Sequence, residues 1–429
     1  MSILVVNAGS SSVKFGLFGF DTLSPMAQGL LDWGGSSHRA ALTITHSAAQ
    51  RHAASAAVPD AEAAEEPAGA PPSFPAPATT CCELEAPDYR SAVSASLRML
   101  EEIQTQCGGP PIRVVGHRLI HGGEEIRKPV CIDAATKKAI SRFTHLAPLH
   151  ILAGLEAIEA TEAALPGVLQ VGLFDTAFFA NIPPYAYLYP VPYEWYTEWG
   201  VRRFGFHGTS HEYCAGRASE MLDRGPKGVR LVICHLGQGS SATAVADGVA
   251  ITNTMGFTPL EGFMMGTRSG TVYPGILIYA QREKGLSVEQ LDEILHHRSG
   301  LLGISGLSSD FRRVELAAKE GHARAQLALD MYAYRVRTMV GALVVTLGGL
   351  DGLVFTGGIG ENSPWLRAEV CRGLECVGIH LDQDRNRTVS PDTDVASPDS
   401  PARVLLIHTR EDWMIARQAR RMAIERQRP

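Results

Sequence analysis

Residues 3–18 read I-L-V-V-N-A-G-S-S-S-V-K-F-G-L-F, which is an apolar strand, a Gly/Ser turn and a second strand. Residues 231–245, L-V-I-C-H-L-G-Q-G-S-S-A-T-A-V, repeat the order of strand, small-residue turn and strand. One opening near the start and another near the middle predict a duplicated α/β domain with a cleft between the copies. Hairpins also occur in α/β chains of other kinds, so spacing alone leaves both interpretations open.

The composition around these stretches is that of a globular protein with more than one core. Hydrophobic residues make up 45% and charged residues 20% of the 429 residues, and this length favours two domains. The formal net charge is -6 and no basic block stands out. We therefore expect small-molecule ligands, with neither nucleic acid nor a membrane surface as a partner.

The cysteines and the N-terminus predict a cytoplasmic protein. The eight cysteines are scattered, apart from Cys81 and Cys82, and without a C-x-x-C pair they are expected to be reduced thiols. Residues 1–20 lack the charged start and the long apolar stretch of a secretion signal. The most apolar region, residues 340–358, is interrupted by glycines and Asp351, which predicts a buried helix and strand.

Residues 36–87 are expected to form a low-complexity, irregular excursion. Ala, Pro, Ser and Thr dominate this segment without a sustained hydrophobic period. Beyond it, residues 89–106 carry apolar side chains at helical spacing, and residues 113–120 predict a short strand before a Gly-Gly turn. The alternation of helices and strands therefore begins here.

Gly-rich turns directly after apolar strands are candidate phosphate-binding loops, because small residues let backbone N–H groups approach an anion. They lie at residues 7–14, 235–241 and 357–362. None has the spacing of a Walker A motif, and one such turn alone is better explained as a tight hairpin. Three turns that converge on one cleft are what the phosphates, ribose and base of a nucleotide require.

Several titratable side chains stand among small or apolar residues. Arg118 and Arg268 have glycine neighbours, so either guanidinium is a candidate clamp for a carboxylate or a phosphate. Desolvation would strengthen the interactions of Asp175 and His207. A solvated surface arginine, or a buried and hydrogen-bonded polar residue, is the structural alternative at each position, and His150 fits a packed loop histidine equally well.

Seven motifs together resemble the acetate kinase family, within the group of acetate and propionate kinases. They are N-A-G-S-S-S-V-K at 7–14, G-H-R-L-I-H-G-G-E at 116–124, F-D-T-A-F at 174–178, F-G-F-H-G-T-S-H at 204–211, M-G-F-T-P-L-E-G at 255–262, M-G-T-R-S-G at 265–270 and G-G-I-G-E-N at 357–362. The motifs stand in the family's order, and the resemblance runs from about Ile3 to the C-terminal helix.

The resemblance implies a duplicated ribonuclease H-like, or actin-like ATPase, fold with a nucleotide cleft between two lobes. The N-terminal lobe is expected at residues 1–177, joined by the C-terminal helix at 412–429. The C-terminal, nucleotide-binding lobe is expected at residues 178–411. The family is usually a homodimer in the cytoplasm, and it uses ATP with Mg²⁺, for which Mn²⁺ is an alternative.

The implied reaction is reversible phosphoryl transfer from ATP to acetate, by direct in-line attack of the carboxylate, to give ADP and the acetyl phosphate used in acetyl-CoA biosynthesis. A carboxylate is already ionised at pH 7, so the reaction needs no general base, and charge repulsion is the main obstacle. A propionate or other short-chain acyl kinase is the alternative. A non-catalytic nucleotide-binding module of the same fold is a remote one.

The resemblance also implies a role for each matching residue. Catalytic roles fall on Arg118, Asp175, His207 and Arg268, and binding of Mg²⁺ falls on Asn7 and Glu411. The acid is expected to contact Arg118, Ile120, Leu149, His150, Phe206 and Pro259, and the bulk of Ile120 favours acetate. The nucleotide is expected to contact Ser10, Ser12, Lys14, His235, Leu236, Gly237, Gln238, Gly239, Asp310, Phe311, Arg312, Gly358, Ile359, Gly360, Glu361 and Asn362.

The sequence departs from the family pattern at a few positions. Gln238 and Ile151 stand where asparagine is usual. Residues 271–273, T-V-Y, replace an acidic triplet, and residues 409–412 read T-R-E-D in place of T-N-E-E. These changes leave the two arginines and His207 unaltered.

Overall fold

The structure is a computed structural model that describes residues 1–9, 12–33, 39–47, 77–86, 88–106 and 109–427. Within these residues the chain divides into two compact units. The first unit comprises residues 1–177 together with the helix that begins at Glu411, and the second comprises Phe178–Arg410.

Strands and helices alternate along most of the described chain. The strands are β1 Ser2–Ala8, β2 Ser12–Gly19, β3 Pro25–Asp32, β4 Arg39–Ser47, β5 Pro77–Glu85, β6 Ile112–Leu119, β7 Val130–Cys131, β8 Leu169–Phe174, β9 Arg230–Leu236, β10 Ser240–Ala246, β11 Val249–Asn253, β12 Gly352–Thr356, β13 Thr393–Asp394 and β14 Arg403–Leu406. The helices are α1 Tyr89–Gln106, α2 Ala134–Ser141, α3 Pro148–Ala164, α4 Pro184–Tyr187, α5 Glu194–Thr197, α6 Gly208–Met221, α7 Pro274–Lys284, α8 Val288–His297, α9 Gly300–Ser305, α10 Phe311–Lys319, α11 Ala323–Leu347, α12 Gly357–Asn362, α13 Pro364–Cys371, α14 Gln383–Thr388 and α15 Glu411–Gln427.

The first unit is built on a sheet whose described strands run in the order β5-β4-β3-β2-β1-β6-β8-β7. The strands β1 to β5 form an antiparallel meander, whereas β1, β6 and β8 are parallel to one another. Leu4 and Val6 of β1 join the core cluster that contains α1 and α3, and Ile3 and Val5 join the cluster that contains α15. Helices on both faces explain why the opening strand is apolar without alternation.

The second unit repeats this plan around a sheet with the strand order β11-β10-β9-β12-β14-β13. As β1 does, β9 pairs antiparallel with the strand that follows it and parallel with a strand much later in the chain, β12. Helix α11 contributes Tyr332, Val336 and Val340 to the core against β9, β10 and β12. The predicted duplication of an α/β domain is confirmed.

Local predictions from hydrophobic spacing agree with the structure at three segments. Residues 89–106 form α1, residues 113–120 lie largely on β6, and residues 340–358 span the end of α11 and all of β12. Within the described ranges, the structure contains no helix with the length and apolar character needed to cross a membrane.

The prediction of an irregular excursion over residues 36–87 is wrong for most of the described part of that range. Two strands, β4 and β5, pair antiparallel there along their whole length. Ala40, Leu42 and Ile44 are buried and alternate with more exposed neighbours, which is the period of a strand. Alanine and threonine make this alternation weak in the sequence. The other residues of the range lie outside the described residues.

Replacing Leu42 by Ala tests whether β4 contributes to the core of the first unit. The Leu42 side chain is 1% exposed and lies in the cluster shared with β1, β2 and β3. Leu42→Ala is expected to lower the free energy of unfolding by about 2–5 kcal/mol. Ala41→Ser, at an exposed position of the same strand, should change it by less than about 0.5 kcal/mol. Urea unfolding measures both, and equally small effects would contradict the burial of β4.

Candidate functional site

Arg118, near the end of β6, is held by carboxylates from two other elements. Its Nε and Nη2 donate to Oδ1 and Oδ2 of Asp175 at 2.9 and 2.8 Å, and Nη2 lies 3.3 Å from Oε1 of Glu411. Burial opposes the charge of Arg118, but the two carboxylates outweigh burial and raise its pKa. The bidentate pair therefore keeps the guanidinium charged and in one orientation.

Strand register brings two more predicted site residues beside Arg118. Asn7 on β1 is the register partner of Lys14 on β2 and of Arg118 on β6. At the start of α15, burial and the adjacent Glu411 raise the pKa of the Asp412 carboxyl. This corner of the first unit thus gathers two cations, an amide and several carboxylates.

The residues of this corner fit a hard divalent cation. Mg²⁺ takes oxygen ligands and usually binds one or two carboxylates together with phosphate oxygens and water. Asn7, the register partner of Arg118, offers an amide oxygen, and Glu411 offers a carboxylate 3.3 Å from Arg118. Burial and the charge of Glu411 raise the pKa of Asp412, and a cation would offset that charge. No group of three His, Cys, Asp or Glu side chains in the described residues forms a metal site. Mg²⁺ held by Asn7 and Glu411 would take further oxygen ligands from phosphate and water.

In the second unit, His207 is held in an uncommon backbone conformation directly before α6. Its φ of 61° and ψ of 31° lie in the left-handed region, which few residues other than glycine adopt and which is frequent at functional sites. The carbonyl of His207 accepts the backbone N–H of His211 at 3.0 Å. Its ring Nδ1 lies 2.9 Å from Oγ of Ser241 on β10.

His207 and Arg268 face one point beside the backbone of Gly239. A Cβ atom added to Gly239 would lie 3.1 Å from Arg268 Nη2 and 3.3 Å from His207 Nε2. Since glycine has no side chain, both nitrogens can approach the backbone of Gly239, and a ligand oxygen bound beside them would be within reach of two donors. Arg268 Nη1 donates to the carbonyl of Pro259 at 2.8 Å. Burial lowers the pKa of Arg268, but an arginine stays charged at neutral pH.

The turn between β9 and β10 contacts the loop that carries Arg268. The backbone N–H of Gly266 donates to the carbonyl of Gln238 at 3.2 Å. The Gln238 side chain lies where a Cβ on Gly266 would be, so the glycine of M-G-T-R-S-G makes room for this departure from the family pattern. His235, at the end of β9, lies beside His207 with ring centroids 4.4 Å apart and the ring planes tilted by 33°.

The third Gly-rich turn, residues 357–362, forms α12 directly after β12, and Thr356 is the register partner of His235. The side chain of Glu361 is already hydrogen bonded to other groups of the protein. Its Oε1 accepts the backbone N–H groups of Gly357 at 2.9 Å and Thr409 at 3.2 Å, and its Oε2 lies 2.6 Å from His408 Nδ1. Contact between Glu361 and a nucleotide would therefore come through its backbone.

The remaining predicted residues are placed as follows. Ile120 directly follows β6, His150 is exposed in the first turn of α3, and Phe206 is buried just before His207. Asp310 caps α10 and pairs with Arg312 Nη2 at 2.7 Å. Ser10 lies outside the described residues, and so does the side chain of Leu149.

Two residues that the sequence patterns did not single out lie next to His207. Ser241 and His211 are both buried and hydrogen bonded to each other. His211 follows His207 by four residues, a spacing that places two side chains on one face of a helix. This spacing could have identified His211 from the sequence. No comparable spacing identifies Ser241, because either serine of G-S-S could face His207.

Two sheets of matching topology, each with Gly-rich turns after its apolar strands, define the class of duplicated actin-like ATPase folds. The profile of the Acetokinase family matches residues 76–417. The chain belongs to the acetokinase family.

Relatives cover nearly the whole chain. An acetate kinase of a Cyanothece species is 45% identical over 427 residues, or 97% of each chain. An acetate kinase of Nostoc punctiforme is 52% identical over 305 residues, which cover 71% of this chain and 75% of the relative.

Among solved structures, Porphyromonas gingivalis acetate kinase superposes with a TM-score of 0.85 at 37% identity and 99% coverage of both chains. A propionate kinase from Francisella tularensis reaches 0.84 at 33% identity and covers 98% of this chain and 99% of its own.

The pair of His408 and Glu361 makes the stability of the second unit depend on pH. The hydrogen bond to Glu361 raises the pKa of His408 above 6.5. Burial opposes ionisation of Glu361, yet the contact with His408 lowers its pKa below 4.5. The His408 contribution is present below pH 6.5 and lost as pH rises through its folded pKa, while that of Glu361 is lost as pH falls through its own.

His408→Asn should therefore lower the melting temperature more at about pH 5.5 than at about pH 8.5. His297→Asn, at an exposed position on α8, should have the same small effect at both values. A loss for His408→Asn that does not change with pH, measured by thermal unfolding, would argue against a charged pair.

Proposed function

We propose that this protein is an acetate kinase, which transfers a phosphoryl group reversibly between ATP and acetate to give ADP and acetyl phosphate. The observation that carries the proposal is that His207 Nε2 and Arg268 Nη2 lie together beside the backbone of Gly239. Two donors fixed in advance around one point suit the oxygens of a phosphoryl group, whose charge is redistributed in the transition state.

Arg118 is the residue that binds the carboxylate of the acid in this proposal. Its guanidinium is planar and charged, and Asp175 holds it in place, so a second carboxylate would meet an oriented donor. Because acetate is already ionised at pH 7 and attacks directly, Asp175 orients Arg118 and takes no proton. Arg268 and His207 donate to the phosphoryl oxygens, which offsets the repulsion between two anions.

Asn7 and Glu411 are the residues proposed to hold Mg²⁺, or Mn²⁺ in its place. The bound cation would neutralise charge on the phosphates of ATP. Lys14, the register partner of Asn7, carries a further positive charge at this corner. The salt bridge between Arg118 and Glu411 keeps the carboxylate in position.

The nucleotide is proposed to contact the Gly-rich turns and the start of α10. The turn after β9 and helix α12 begin at paired positions of adjacent parallel strands, so one phosphate group could contact the backbone of both. The proposed contacts are Ser10, Ser12, Lys14, His235 to Gly239, Asp310 to Arg312 and Gly358 to Asn362.

Acetate is the proposed acid, and propionate is the second candidate. Ile120 is partly buried and Phe206 is 1% exposed, and we propose that each of them, like Leu149, His150 and Pro259, contacts the acid. One extra methylene in an apolar binding site changes binding by about 1–3 kcal/mol. The likeness to a solved propionate kinase keeps that acid as the alternative.

Hydroxamate formation with ATP, Mg²⁺ and acetate, propionate or butyrate tests this function. We expect the highest kcat/KM with acetate. Arg268→Ala should lower kcat by at least about 100-fold, as expected for the loss of one fixed donor in the transition state. Arg372→Ala, which removes an exposed arginine paired with Glu369, should leave kcat unchanged.

Other outcomes of this assay have distinct meanings. A higher kcat/KM with propionate would change the assigned substrate and leave the chemistry intact. Failure to form an acyl phosphate from all three acids would refute the kinase function. An Arg268→Ala variant with nearly normal kcat would remove Arg268 from the proposed transition state.

A homodimer in the cytoplasm is the proposed state of the protein. The described cysteines are free thiols, the form expected in a reducing compartment. The second unit exposes many large apolar side chains, and exposed apolar patches of this kind mark protein contact surfaces. They include Tyr185, Tyr193, Trp195, Trp199, Tyr273, Ile276, Ile278 and Tyr279.

Light scattering after size exclusion tests the dimer. The mass should be twice the 46.1 kDa of the chain, and Ile276→Asp combined with Tyr279→Asp on α7 should shift it toward the monomer, because a charge is costly to bury in an apolar interface. Ile424→Asp, at an exposed position of the first unit, serves as the control. A monomeric wild type would refute this proposal without affecting the proposed chemistry.

A further inference from the structure

Ser241 is hydrogen bonded to two histidines at once. Its Oγ lies 2.9 Å from His207 Nδ1 and 2.7 Å from His211 Nε2, and the residue is 0% exposed. A serine hydroxyl has a single proton to donate. It can therefore donate to only one of the two rings, and the other ring must donate to it if both contacts are hydrogen bonds between neutral groups.

The surroundings of His211 decide the direction of these bonds. His211 is 0% exposed, and its Nδ1 has no hydrogen-bond partner within the residues that the structure describes. Burial, together with the nearby His235, lowers the pKa of His211 well below 6.5, so the ring is neutral and has one N–H. A proton on Nδ1 would be a buried donor without an acceptor, which is costly. The proton therefore sits on Nε2 and is donated to Ser241.

We propose that His211 and Ser241 are positioning residues that set the tautomer of His207. Ser241 accepts the proton of His211 Nε2–H in a hydrogen bond and donates its own hydroxyl proton to His207 Nδ1. The neutral ring of His207 then carries its proton on Nε2, the nitrogen that lies beside Gly239 together with Arg268 Nη2. Only the identity of the acceptor, a phosphoryl oxygen, rests on the proposed function.

The tautomer of His207 matters because an anionic oxygen that binds beside His207 Nε2 needs a hydrogen-bond donor there. With its proton on Nδ1, His207 would turn a lone pair toward that oxygen and repel it. With its proton on Nε2, the same ring donates without becoming positively charged. The backbone bond between His211 N–H and the His207 carbonyl joins the two residues across the first turn of α6, and the ring contacts with Ser241 complete the chain of hydrogen bonds.

Long-range ¹H–¹⁵N spectra of ring-labelled histidine test the tautomers directly, with His207 and His211 assigned from the His207→Gln and His211→Gln variants. Both rings of the wild type should show a protonated Nε2 and an unprotonated Nδ1. In Ser241→Ala, His207 should become a mixture of tautomers. A protonated Nδ1 on either wild-type ring, or an unchanged His207 spectrum in Ser241→Ala, would overturn the proposal. The spectra need no substrate, so they decide this point even if the protein is not a kinase.

A double-mutant cycle tests whether Ser241 acts through His207. Ser241→Ala should lower kcat about tenfold, the effect of one lost hydrogen bond, with little change in either KM. His207→Gln places an amide donor near the position of Nε2 and has no ring Nδ1. Adding Ser241→Ala to His207→Gln should then have no further effect on kcat. Independent, multiplying losses would assign Ser241 a merely structural role and refute the proposal.

Matched variants complete the cycle. Thr243→Val removes another buried hydroxyl of β10, one that bonds Asn253 at 2.8 Å, and its effect should be the same with and without His207→Gln. His211→Gln, whose amide can still donate to Ser241, should retain more activity than His211→Leu. Equal activities of the two His211 variants would contradict the proposal, and this pair decides the question if Ser241→Ala does not fold.

Discussion

Strands buried on both faces have little room for charged side chains except at their ends, and the first unit depends on this constraint. Parallel strands place their carboxyl ends at one edge of the sheet. Asn7 near the end of β1, Arg118 near the end of β6 and Asp175 directly after β8 therefore lie close together. The carboxylate of Asp175 is almost fully buried, and pairing with Arg118 offsets the cost of removing its charge from water.

Close packing of the last helix completes this corner. A Cβ on Gly116 of β6 would collide with Ile415 and Ala419 of α15, so glycine at this position lets the helix approach the sheet. That approach brings Glu411 to Arg118 and buries Asp412. The G-H-R motif thus has two physical roles, a close approach at its glycine and a charged donor at its arginine.

In the second unit, the corresponding strand ends carry backbone donors and histidines in place of a salt-bridge cluster. His235 ends β9, and α12 begins directly after β12 at the paired position. His207 reaches the same region from α6 and owes its orientation to a left-handed backbone and to Ser241. The two copies of one fold therefore carry different side-chain chemistry at the same topological edge.

The sequence by itself determined the family and, through it, the duplicated α/β fold, because the seven motifs are local properties of a chain. It failed at β4, where small residues such as Ala40 weaken the alternation. Only the tertiary structure brought Ser241 to His211, thirty residues away, and Glu411 to Arg118. Such contacts depend on strand register and helix placement, which no local pattern encodes, and they decide which atoms carry protons and which charges are offset.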